Sequence, residues 1–390
     1  MSFAWMRRID SWVGKPLTGL LALFTSRPKS LFGDLKFEKL PKRVICSKFI
    51  GMGSVVLSLP LLKGLKESGV RVAFWSFPGQ AELARISGYV DEVWIIEPSI
   101  KKFLPTLLKT IFSAWRFRAE AFLDLEPTAN FSAVLARLSG AKTRIGFMSA
   151  KPIRESLFTH LVALTSERHI IENHLLFGRL IGMSTYVSGA LPRVPASISE
   201  TADPVPFRSV QSGRKRIVIN VNSSDLSWHR MWPEDHWVLF CKELLKDPTV
   251  DLVFPGAPSE QARADRLVKR LEDSPRVLNI AGQTSLIQLM RVLQGSSLVV
   301  SVDSGIMHLA AWVGTPLVAL FGPETPKLYG PRTPSSRVLW AGLPCSPCLN
   351  VAADKITRCR DNQCMKKITP EQVLSACRSL LRDSTVEKVA

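Results

Sequence analysis

An acidic–hydroxyl–glycine triplet that follows a short apolar run could bind an anion. The run Leu298–Val302 has the composition of a buried strand, and Asp303-Ser304-Gly305 comes directly after it. A helix is predicted from this triplet to Gly314, and its first backbone N–H groups would point at the triplet, where a pyrophosphate can be held. Gly305 leaves room for close approach. The alternative is that Asp303 or Ser304 only caps the helix.

Two neighbouring features favour a ligand site over a simple cap. His308 lies one turn into the predicted helix, and the next apolar run, Leu317–Phe321, ends in Gly322-Pro323. Ligands of parallel sheets bind beyond the carboxyl ends of the strands, so these two turns would lie side by side. The segment therefore predicts a phosphate-binding edge in the second half of the chain.

Four of the seven cysteines are clustered near the carboxyl end. Cys345-x-x-Cys348 is followed by Cys359 and Cys364, and this spacing is typical of metal ligands. A structural Zn²⁺ is the metal predicted here, while an iron–sulfur cluster, paired disulfides and four reduced thiols stay open as alternatives. The remaining three lie in apolar patterns and are expected in the core: Cys46, Cys241 and Cys377.

Length and charge bound the class of protein. The chain has 390 residues, enough for two domains, and 51 Lys and Arg against 33 Asp and Glu give a formal net charge of +18. Such a charge implies an anionic partner: nucleic acid, an acidic membrane surface or phosphorylated small molecules. We expect no nucleic-acid partner, because no nucleic-acid-binding motif accompanies the charge. No apolar stretch reaches the roughly 20 residues that span a bilayer.

Short apolar runs alternate with helical patterns from residue 42 onward. A single helical stripe is predicted from Val55 to Gly69, and a long basic helix from Ser99 to Arg118. The alternation predicts an α/β fold of two Rossmann-like, doubly wound parallel-sheet domains facing a cleft. The predicted organisation is a basic amphipathic segment over 1–40, a first domain over 41–185, a linker over 186–214 and a second domain over 215–390 with a cysteine-rich loop over 344–366.

Several motifs occur together in one order along the chain. The most specific is Asp-Ser-Gly-x-x-His over 303–308, followed by Gly-x-Pro and Phe-Gly-Pro over 314–323. Arg230-Met-Trp-Pro and the Pro-Gly turn before Glu260 precede it. With these motifs the chain resembles glycosyltransferase family 9, the heptosyltransferase family of lipopolysaccharide core assembly, over about residues 42–380.

The resemblance implies the activity and the donor site. It implies an inverting glycosyltransferase that moves a sugar, typically heptose from ADP-heptose, to a glycolipid core without a metal or other cofactor for the transfer. Arg230 stands where the family has a Lys that neutralises phosphate, and Glu260 where a carboxylate holds the ribose. The implied donor-binding residues are Asn222, Ser223, Arg230, Glu260, Asp303, Ser304, Gly305 and His308.

The chain departs from the family pattern in the loop near the acceptor. The family usually has Gly-Asp there, with the Asp as general base, whereas this loop carries Gly51, Gly53 and then Ser54. A serine hydroxyl cannot deprotonate an acceptor unaided at neutral pH. Glu126, or else Asp124, is therefore predicted as the base, since both end a strand of the same domain. The alternative is that these two carboxylates only hold backbone and a helix end.

Basic and aromatic residues suggest contact with a membrane. Trp5, Ile9 and Trp12 recur at helical spacing beside Arg7 and Arg8, which is typical of a helix lying in an anionic leaflet. The alternative is a helix packed on the protein's own surface. Cations of the 101–118 helix would face the same membrane. These features predict a cytoplasmic protein at the cytoplasmic face of the inner membrane, with a glycolipid acceptor.

Two competing functions remain open at this point. A family member without transfer activity would bind nucleotide sugar or membrane only, as the changed base position allows. A nucleotide-sugar 2-epimerase shares the architecture alone, and function does not follow from fold.

Overall fold

The computed structural model describes residues 9–25, 39–149, 151–183, 189–196, 198, 213–223, 228–350 and 356–386. The chain divides into two compact units, Met1–Pro192 and Arg193–Ala390. Within the described ranges each unit is built on one six-stranded parallel sheet. This confirms the predicted fold class of two Rossmann-like, doubly wound sheets. Residues 186–188, 197 and 199–212 of the predicted linker lie outside the described residues.

The first sheet has the strand order β3-β2-β1-β4-β5-β6. The chain winds outward from β1 to β3 on one side and from β4 to β6 on the other, so the carboxyl ends of β1 and β4 form the switch point where such sheets bind ligands. Ser47, the last residue of β1, pairs with Asp124, the last residue of β4. The strands are β1 Arg43–Ser47, β2 Arg71–Ser76, β3 Glu92–Ile95, β4 Ala121–Asp124, β5 Thr143–Phe147 and β6 His160–Val162.

The helices of the first unit correct two predictions. The single stripe predicted from Val55 to Gly69 is two helices, because Pro60 has no N–H to continue the first and instead sits in the opening turn of the second. The predicted 99–118 helix begins later, at Phe103. The helices are Lys15–Ala22, Met52–Val56, Leu59–Glu67, Pro78–Ser87, Phe103–Phe117, Asn130–Leu138, Pro152–Glu155 and Ile170–Leu180.

The N-terminal segment packs against the first unit. A π-helical turn, Asp10–Gly14, precedes helix Lys15–Ala22. The Asp10 carboxylate accepts hydrogen bonds from the Phe131 N–H (2.8 Å) and from the Asn130 amide (2.9 Å), so it caps helix Asn130–Leu138 from outside. A Cβ on Gly14 would lie 2.7 Å from the Phe131 nitrogen, so only glycine allows this approach. The described part of the segment is thus held on its own protein; residues 1–8 and 26–38 lie outside the described ranges.

The second sheet repeats the winding, with the order β12-β11-β10-β7-β8-β9. Strands β10 and β11 are buried along their whole length and largely apolar, as expected for a parallel sheet covered on both faces. The switch point lies between β7 and β10, where Asn220 pairs with Ser301. The strands are β7 Lys215–Asn220, β8 Val250–Phe254, β9 Val277–Asn279, β10 Leu298–Val302, β11 Leu317–Phe321 and β12 Ser336–Trp340.

The helices of the second unit pack on a core rich in aromatic rings. Trp232 and Trp237 meet edge to face with ring centroids 4.7 Å apart, and the Trp232 indole donates to the Ile368 carbonyl (2.8 Å). This bond ties the carboxyl-terminal part of the chain to the segment that opens the unit. The helices are Glu234–Leu245, Gln261–Arg270, Leu286–Gln294, Gly305–Val313, Pro326–Tyr329, Gln363–Lys366 and Pro370–Val386. Among the described helices of both units, none combines the length and the apolar character needed to cross a bilayer.

Candidate active site

The predicted anion-binding turn lies at the switch point of the second sheet. Ser304 is the N-cap of helix Gly305–Val313, and its hydroxyl accepts a bond from the Met307 N–H (3.4 Å). The Asn220 amide donates to the hydroxyls of Ser304 (2.7 Å) and Ser301 (2.8 Å). Ser304 therefore caps the helix and is itself held in place. Capping and anion binding are compatible, because one hydroxyl satisfies only one of the first N–H groups of the helix.

A buried arginine lies beside this turn. Arg230 ends a 3₁₀ turn, Trp228–Arg230, and its guanidinium is bracketed by two carboxylates. Its Nε lies 3.3 Å from Asp303 Oδ2, and its Nη2 donates to Glu324 Oε1 at 3.1 Å. Burial lowers the pKa of Arg230, but Asp303 and Glu324 outweigh it and the net shift is upward. The cluster thus holds a permanent cation between two fixed anions.

A second part of the site surrounds Gly256. A Cβ on Gly256 would lie 3.0 Å from Glu260 Oε2 and 3.1 Å from Asn222 Nδ2, so the two side chains approach the same glycine. The Ala257 N–H donates to Glu260 Oε2 (2.7 Å) and closes this turn. Asn222 is 4 % exposed, and its Nδ2 has no hydrogen-bond partner within the described ranges. A buried amide without a partner is costly, which indicates a group that a ligand satisfies.

The structure gathers most of the predicted donor residues at one edge of the second sheet. Ser223 follows Asn222 and is buried, and His308 is buried one turn into the helix that Ser304 caps. Gly305 opens that helix. The assignment of these residues to donor binding stays a prediction, although the geometry brings two clusters, around Arg230 and around Gly256, to neighbouring strand ends.

Sequence reasoning missed three residues of this edge. Glu324 follows the predicted Gly-Pro turn after β11, and its signal was a carboxylate at a strand end. Asn220 is a polar residue that ends β7 after an apolar run of three residues. Asn362 gave no local signal: its amide donates to the carbonyls of Met231 (2.7 Å) and His229 (3.3 Å), and so clamps the two residues that flank Arg230.

Asp124 is wholly buried at the switch point of the first sheet. Its Oδ1 accepts from the Ser47 hydroxyl (3.0 Å) and its Oδ2 from the Ser132 hydroxyl and Arg154 Nη2 (2.8 Å each). Burial raises the pKa of Asp124 to about 6, against the opposing charge of Arg154. The side chains of Asp124 and Arg154 have no exposed surface, so this pair organises the strand ends from inside.

Glu126 is tied to the loop that follows β1. Its Oε2 accepts from Lys48 Nζ (2.8 Å), and its Oε1 accepts from the N–H groups of Phe49 and Ile50 (2.6 Å each). The Glu126 side chain is 3 % exposed. The carboxylate thus holds backbone, as the alternative stated. Its role as general base stays a prediction, and proton abstraction would require the loop to release an oxygen.

Ser54, Gly51 and Gly53 lie just beyond this loop. Gly51 has φ +83°, in the left-handed region that glycine adopts without strain, and its carbonyl accepts from the Ser54 N–H (3.1 Å). Ser54 is half-buried in helix Met52–Val56. The turn therefore presents a hydroxyl where the family pattern has a carboxylate.

The cysteine loop packs beside the Arg230 cluster. The Cys348 N–H donates to the Pro323 carbonyl (2.9 Å), and a Cβ on Gly322 would lie 3.0 Å from Cys364 Sγ. Burial, with the nearby thiols of Cys348, Cys359 and Cys345, raises the pKa of Cys364 to about 11. The predicted zinc site is not supported: in the described part of the chain no three His, Cys, Asp or Glu side chains are placed to hold a metal ion.

Two units, each built on a doubly wound six-stranded parallel sheet, define the two-domain, GT-B-like class of fold. Residues 118–355 match the family described as glycosyltransferase family 9 (heptosyltransferase). The chain belongs to this family and is a glycosyltransferase.

Known proteins agree with this assignment. Lipopolysaccharide heptosyltransferase 1 of Escherichia coli K12 is 25 % identical over 301 residues, which cover 73 % of this chain and 89 % of that protein. The structure of E. coli ADP-heptose LPS heptosyltransferase II has a TM-score of 0.68 at 20 % identity and covers 88 % of this chain and 99 % of its own. The structure of E. coli heptosyltransferase WaaC with ADP has a TM-score of 0.62 at 21 % identity. The match covers 87 % of this chain and 99 % of the WaaC chain. These structural likenesses show the fold.

Proposed function

We propose that this glycosyltransferase moves a heptose from ADP-heptose to the core of a lipopolysaccharide, with inversion at the anomeric carbon. The observation that carries the proposal is the switch point of the second sheet. A capped helix N-terminus, a buried Arg230 and an Asn222 Nδ2 that has no hydrogen-bond partner among the described residues occur together there. The names of the relatives support heptose as the sugar and ADP as the nucleotide.

The donor-site geometry suits departure of a diphosphate. In the transfer, an acceptor oxygen bonds to the anomeric carbon from the face opposite the diphosphate while the bond from that carbon to the phosphate oxygen breaks. The electron pair of that bond leaves with ADP, whose added charge is stabilised by the first N–H groups of helix Gly305–Val313 and by Arg230. Glu260 binds the ribose hydroxyls. Arg230 and the helix N-terminus place positive charge at the leaving diphosphate, and the transfer is proposed to need no metal.

The acceptor proton goes to a carboxylate of the first unit. Glu126 takes this role when the loop after β1 frees one of its oxygens, and Asp124 is the second choice. The acceptor is a glycolipid at an anionic inner-membrane surface, and the protein acts at its cytoplasmic face. No nucleic acid takes part.

A screen of nucleotide sugars tests the donor. Thermal unfolding is measured with ADP-heptose and with UDP-, GDP- and CDP-sugars, followed by transfer to a heptose-free lipopolysaccharide core. We expect stabilisation by the ADP-sugar alone, since a ligand that binds only the folded state raises its stability, and we expect release of ADP that depends on the acceptor. Stabilisation by another nucleotide class would contradict the donor assignment.

A donor-binding protein without turnover is the second candidate. Ser54 in place of the family's carboxylate and the fully bonded state of Glu126 both favour it. The same screen separates the two functions, because this candidate binds ADP-heptose but releases no ADP in the presence of acceptor.

A further inference from the structure

Helix Phe103–Phe117 carries a row of large apolar side chains that face solvent. The row consists of Leu104, Leu108, Phe112 and Trp115, and each of the four is more than half exposed. Their spacing of four, four and three residues places them on one face of the helix. Ile100, just before the helix, is 92 % exposed. We call these four helical residues the apolar row.

The orientation of the helix is fixed by its opposite face. Ile111, Ala114 and Phe117 are buried in the core of the first unit, and Phe103 packs on Phe131 with ring centroids 5.8 Å apart. The helix therefore already has a buried stripe, and the apolar row is not needed to hold it on the sheet. Contiguous exposed apolar residues of this size mark a contact surface.

Basic side chains lie beside the apolar row and line a neighbouring cavity. The Arg116 guanidinium carbon lies 5.9 Å from the centre of the Phe112 ring. Arg116 and Lys109 line a cavity of about 450 Å³ together with Arg43 and Arg71, which begin β1 and β2. Glu92 is the acidic residue of its lining. We call this cavity the basic pocket.

The charge of the basic pocket suits a phosphate. Four cations face one carboxylate, and that carboxylate is already paired with Arg71 at 2.8 Å. Arg43 Nε is buried and has no hydrogen-bond partner among the described residues. The pocket lies at the amino ends of β1 and β2, whereas the switch point with Asp124 lies at the carboxyl ends, so it is separate from the candidate active site.

A second exposed apolar set lies close by in the same unit. Helix Lys15–Ala22 and the turns around it expose Trp12, Leu20, Leu23 and Phe24. This segment packs on Phe131 through Asp10 and Gly14, and Phe131 is also the contact of Phe103. The two exposed sets therefore belong to helices that share one neighbour.

We infer that the apolar row and the basic pocket dock on an anionic phospholipid bilayer. The apolar row lies at the boundary of headgroups and acyl chains, and a headgroup phosphate occupies the basic pocket. The cations argue for this occupant over a second copy of the chain, because a symmetric dimer across this face would bring like charges together. The inference deepens the proposed function and rests on it, because a protein that modifies a glycolipid must reach the bilayer in which that glycolipid resides.

Vesicle co-sedimentation of the full chain tests the inference. Vesicles of phosphatidylcholine alone are compared with vesicles that also contain phosphatidylglycerol, without donor or acceptor. We expect binding only to the anionic vesicles. Leu108→Ser and Phe112→Ser should each weaken binding roughly tenfold or more, and Arg116→Ala roughly fivefold.

Matched variants of the second unit are the controls. Leu239→Ser removes a leucine as exposed as Leu108, 57 % against 58 %, and Lys269→Ala removes an exposed cation. Both should bind vesicles like the unchanged protein. Equal binding by the row variants and these controls would overturn the inference, as would equal binding to neutral vesicles.

Two other occupants give distinct results. A concentration-dependent dimer in light scattering that Leu108→Ser abolishes, without vesicle binding, would assign the face to a second copy. Binding of inorganic phosphate that Arg116→Ala abolishes, by a protein that does not bind anionic vesicles, would assign the pocket to free phosphate. Either result overturns docking on a bilayer.

The design separates docking from transfer. If docking fails and the proposed function holds, transfer to a water-soluble acceptor sugar continues while anionic vesicles are not bound. If the proposed function fails and docking holds, vesicles are bound by the unchanged protein and not by the row variants, and no heptose is transferred to either acceptor.

Discussion

Arg230 and the two carboxylates beside it dominate the electrostatics of the candidate donor site. The guanidinium donates a hydrogen bond to Glu324 through Nη2 and forms an ion pair with Asp303 on its Nε side, which one planar group can do. The cluster carries one positive and two negative charges. Binding of a diphosphate therefore depends on both Arg230 and the helix N-terminus at Ser304. Removal of the Arg230 cation would leave two buried carboxylates without a counter-charge.

The first prediction concerns this cation. Arg230→Gln should lower the affinity for ADP at least tenfold and destabilise the fold by about 3 kcal/mol, because it leaves buried carboxylates without their partner. Arg230→Lys should have an ADP affinity and a stability between those of the unchanged protein and Arg230→Gln, since a single ammonium cannot keep both ionic contacts. Calorimetric titration and denaturant unfolding give the two quantities. An unchanged ADP affinity in a folded Arg230→Gln protein would refute the role, with exposed Lys269→Gln as control.

The second prediction concerns the missing base. Glu126→Gln should lower kcat about 100-fold or more with little change in KM for the donor, because the amide keeps an oxygen for the loop N–H groups but cannot accept the proton. Ser54→Asp restores a carboxylate where the family pattern has one, and it should recover activity in the Glu126→Gln background. Steady-state transfer kinetics test both. Full activity of Glu126→Gln alone would end the assignment.

The sequence predicted this site in part, for a physical reason. Residues within one motif, such as Ser304 and His308, are fixed relative to each other by one helix and could be named in advance. Glu324 and Asn220 join this site only because β11, β10 and β7 are adjacent in the sheet. The order of strands in a sheet cannot be deduced from the local sequence. The predicted zinc site is not supported among the described residues, and close spacing along the chain does not by itself fix the direction of four thiols in a loop.

At the scale of elements, the carboxyl-terminal segment holds the turn that carries Arg230. Asn362 bonds the carbonyls of Met231 and His229, His229 Nε2 donates to the Cys359 carbonyl (2.8 Å), and Trp232 bonds the Ile368 carbonyl. These bonds join residues about 130 positions apart in sequence. The turn Trp228–Arg230 therefore depends for its position on the cysteine loop as well as on its own residues.

The third prediction follows from this clamp. Asn362→Ala should cost about 1 kcal/mol, because it removes hydrogen bonds to two partly buried carbonyls. It should also weaken ADP binding by moving Arg230. In the double variant with Arg230→Gln, the loss of ADP affinity should not exceed that of Arg230→Gln alone. Additive losses would show that Asn362 acts on binding by another route. Titration of ADP into the two single variants and the double variant measures this.

Element boundaries show where pattern reasoning succeeds. Strands β5, β8, β10 and β11 have the bounds that their sequence patterns predict. In β10 and β11 all five residues are buried, as expected for parallel strands that are covered on both faces. The three-residue strand β6 was missed, since its run is too short to show a period. The sequence pattern predicts one continuous helix across Pro60, because the apolar stripe continues past the break.

At the scale of the whole molecule, a buried histidine couples the fold to pH. His174 donates from Nδ1 to the Leu57 carbonyl at 3.2 Å. Burial lowers the pKa of His174 to about 3; the bond to Leu57 opposes this shift, and Lys48 and His169 add to it. The unfolded chain takes up this proton near pH 6.5 and the folded chain does not. Stability is therefore present above pH 6.5 and is lost as the pH falls below it, down to about 3.

The fourth prediction measures this loss. Between pH 7 and pH 5 the neutral His174 should cost about 2 kcal/mol of unfolding free energy. His174→Gln keeps an N–H donor without a titrating group. Between pH 7 and pH 5 the variant should therefore lose about 2 kcal/mol less unfolding free energy than the unchanged protein. Denaturant unfolding at both pH values gives the comparison. Equal pH dependence in the two proteins would show that His174 is not the titrating group.

Hydrogen–deuterium exchange with and without ADP tests the central claim most directly, since it locates the nucleotide on the chain. The account predicts that ADP protects the amides of 304–307 at the start of helix Gly305–Val313, together with those of 228–231 around Arg230. ADP that binds while leaving both stretches unchanged, or that protects only amides of the first unit, would contradict it.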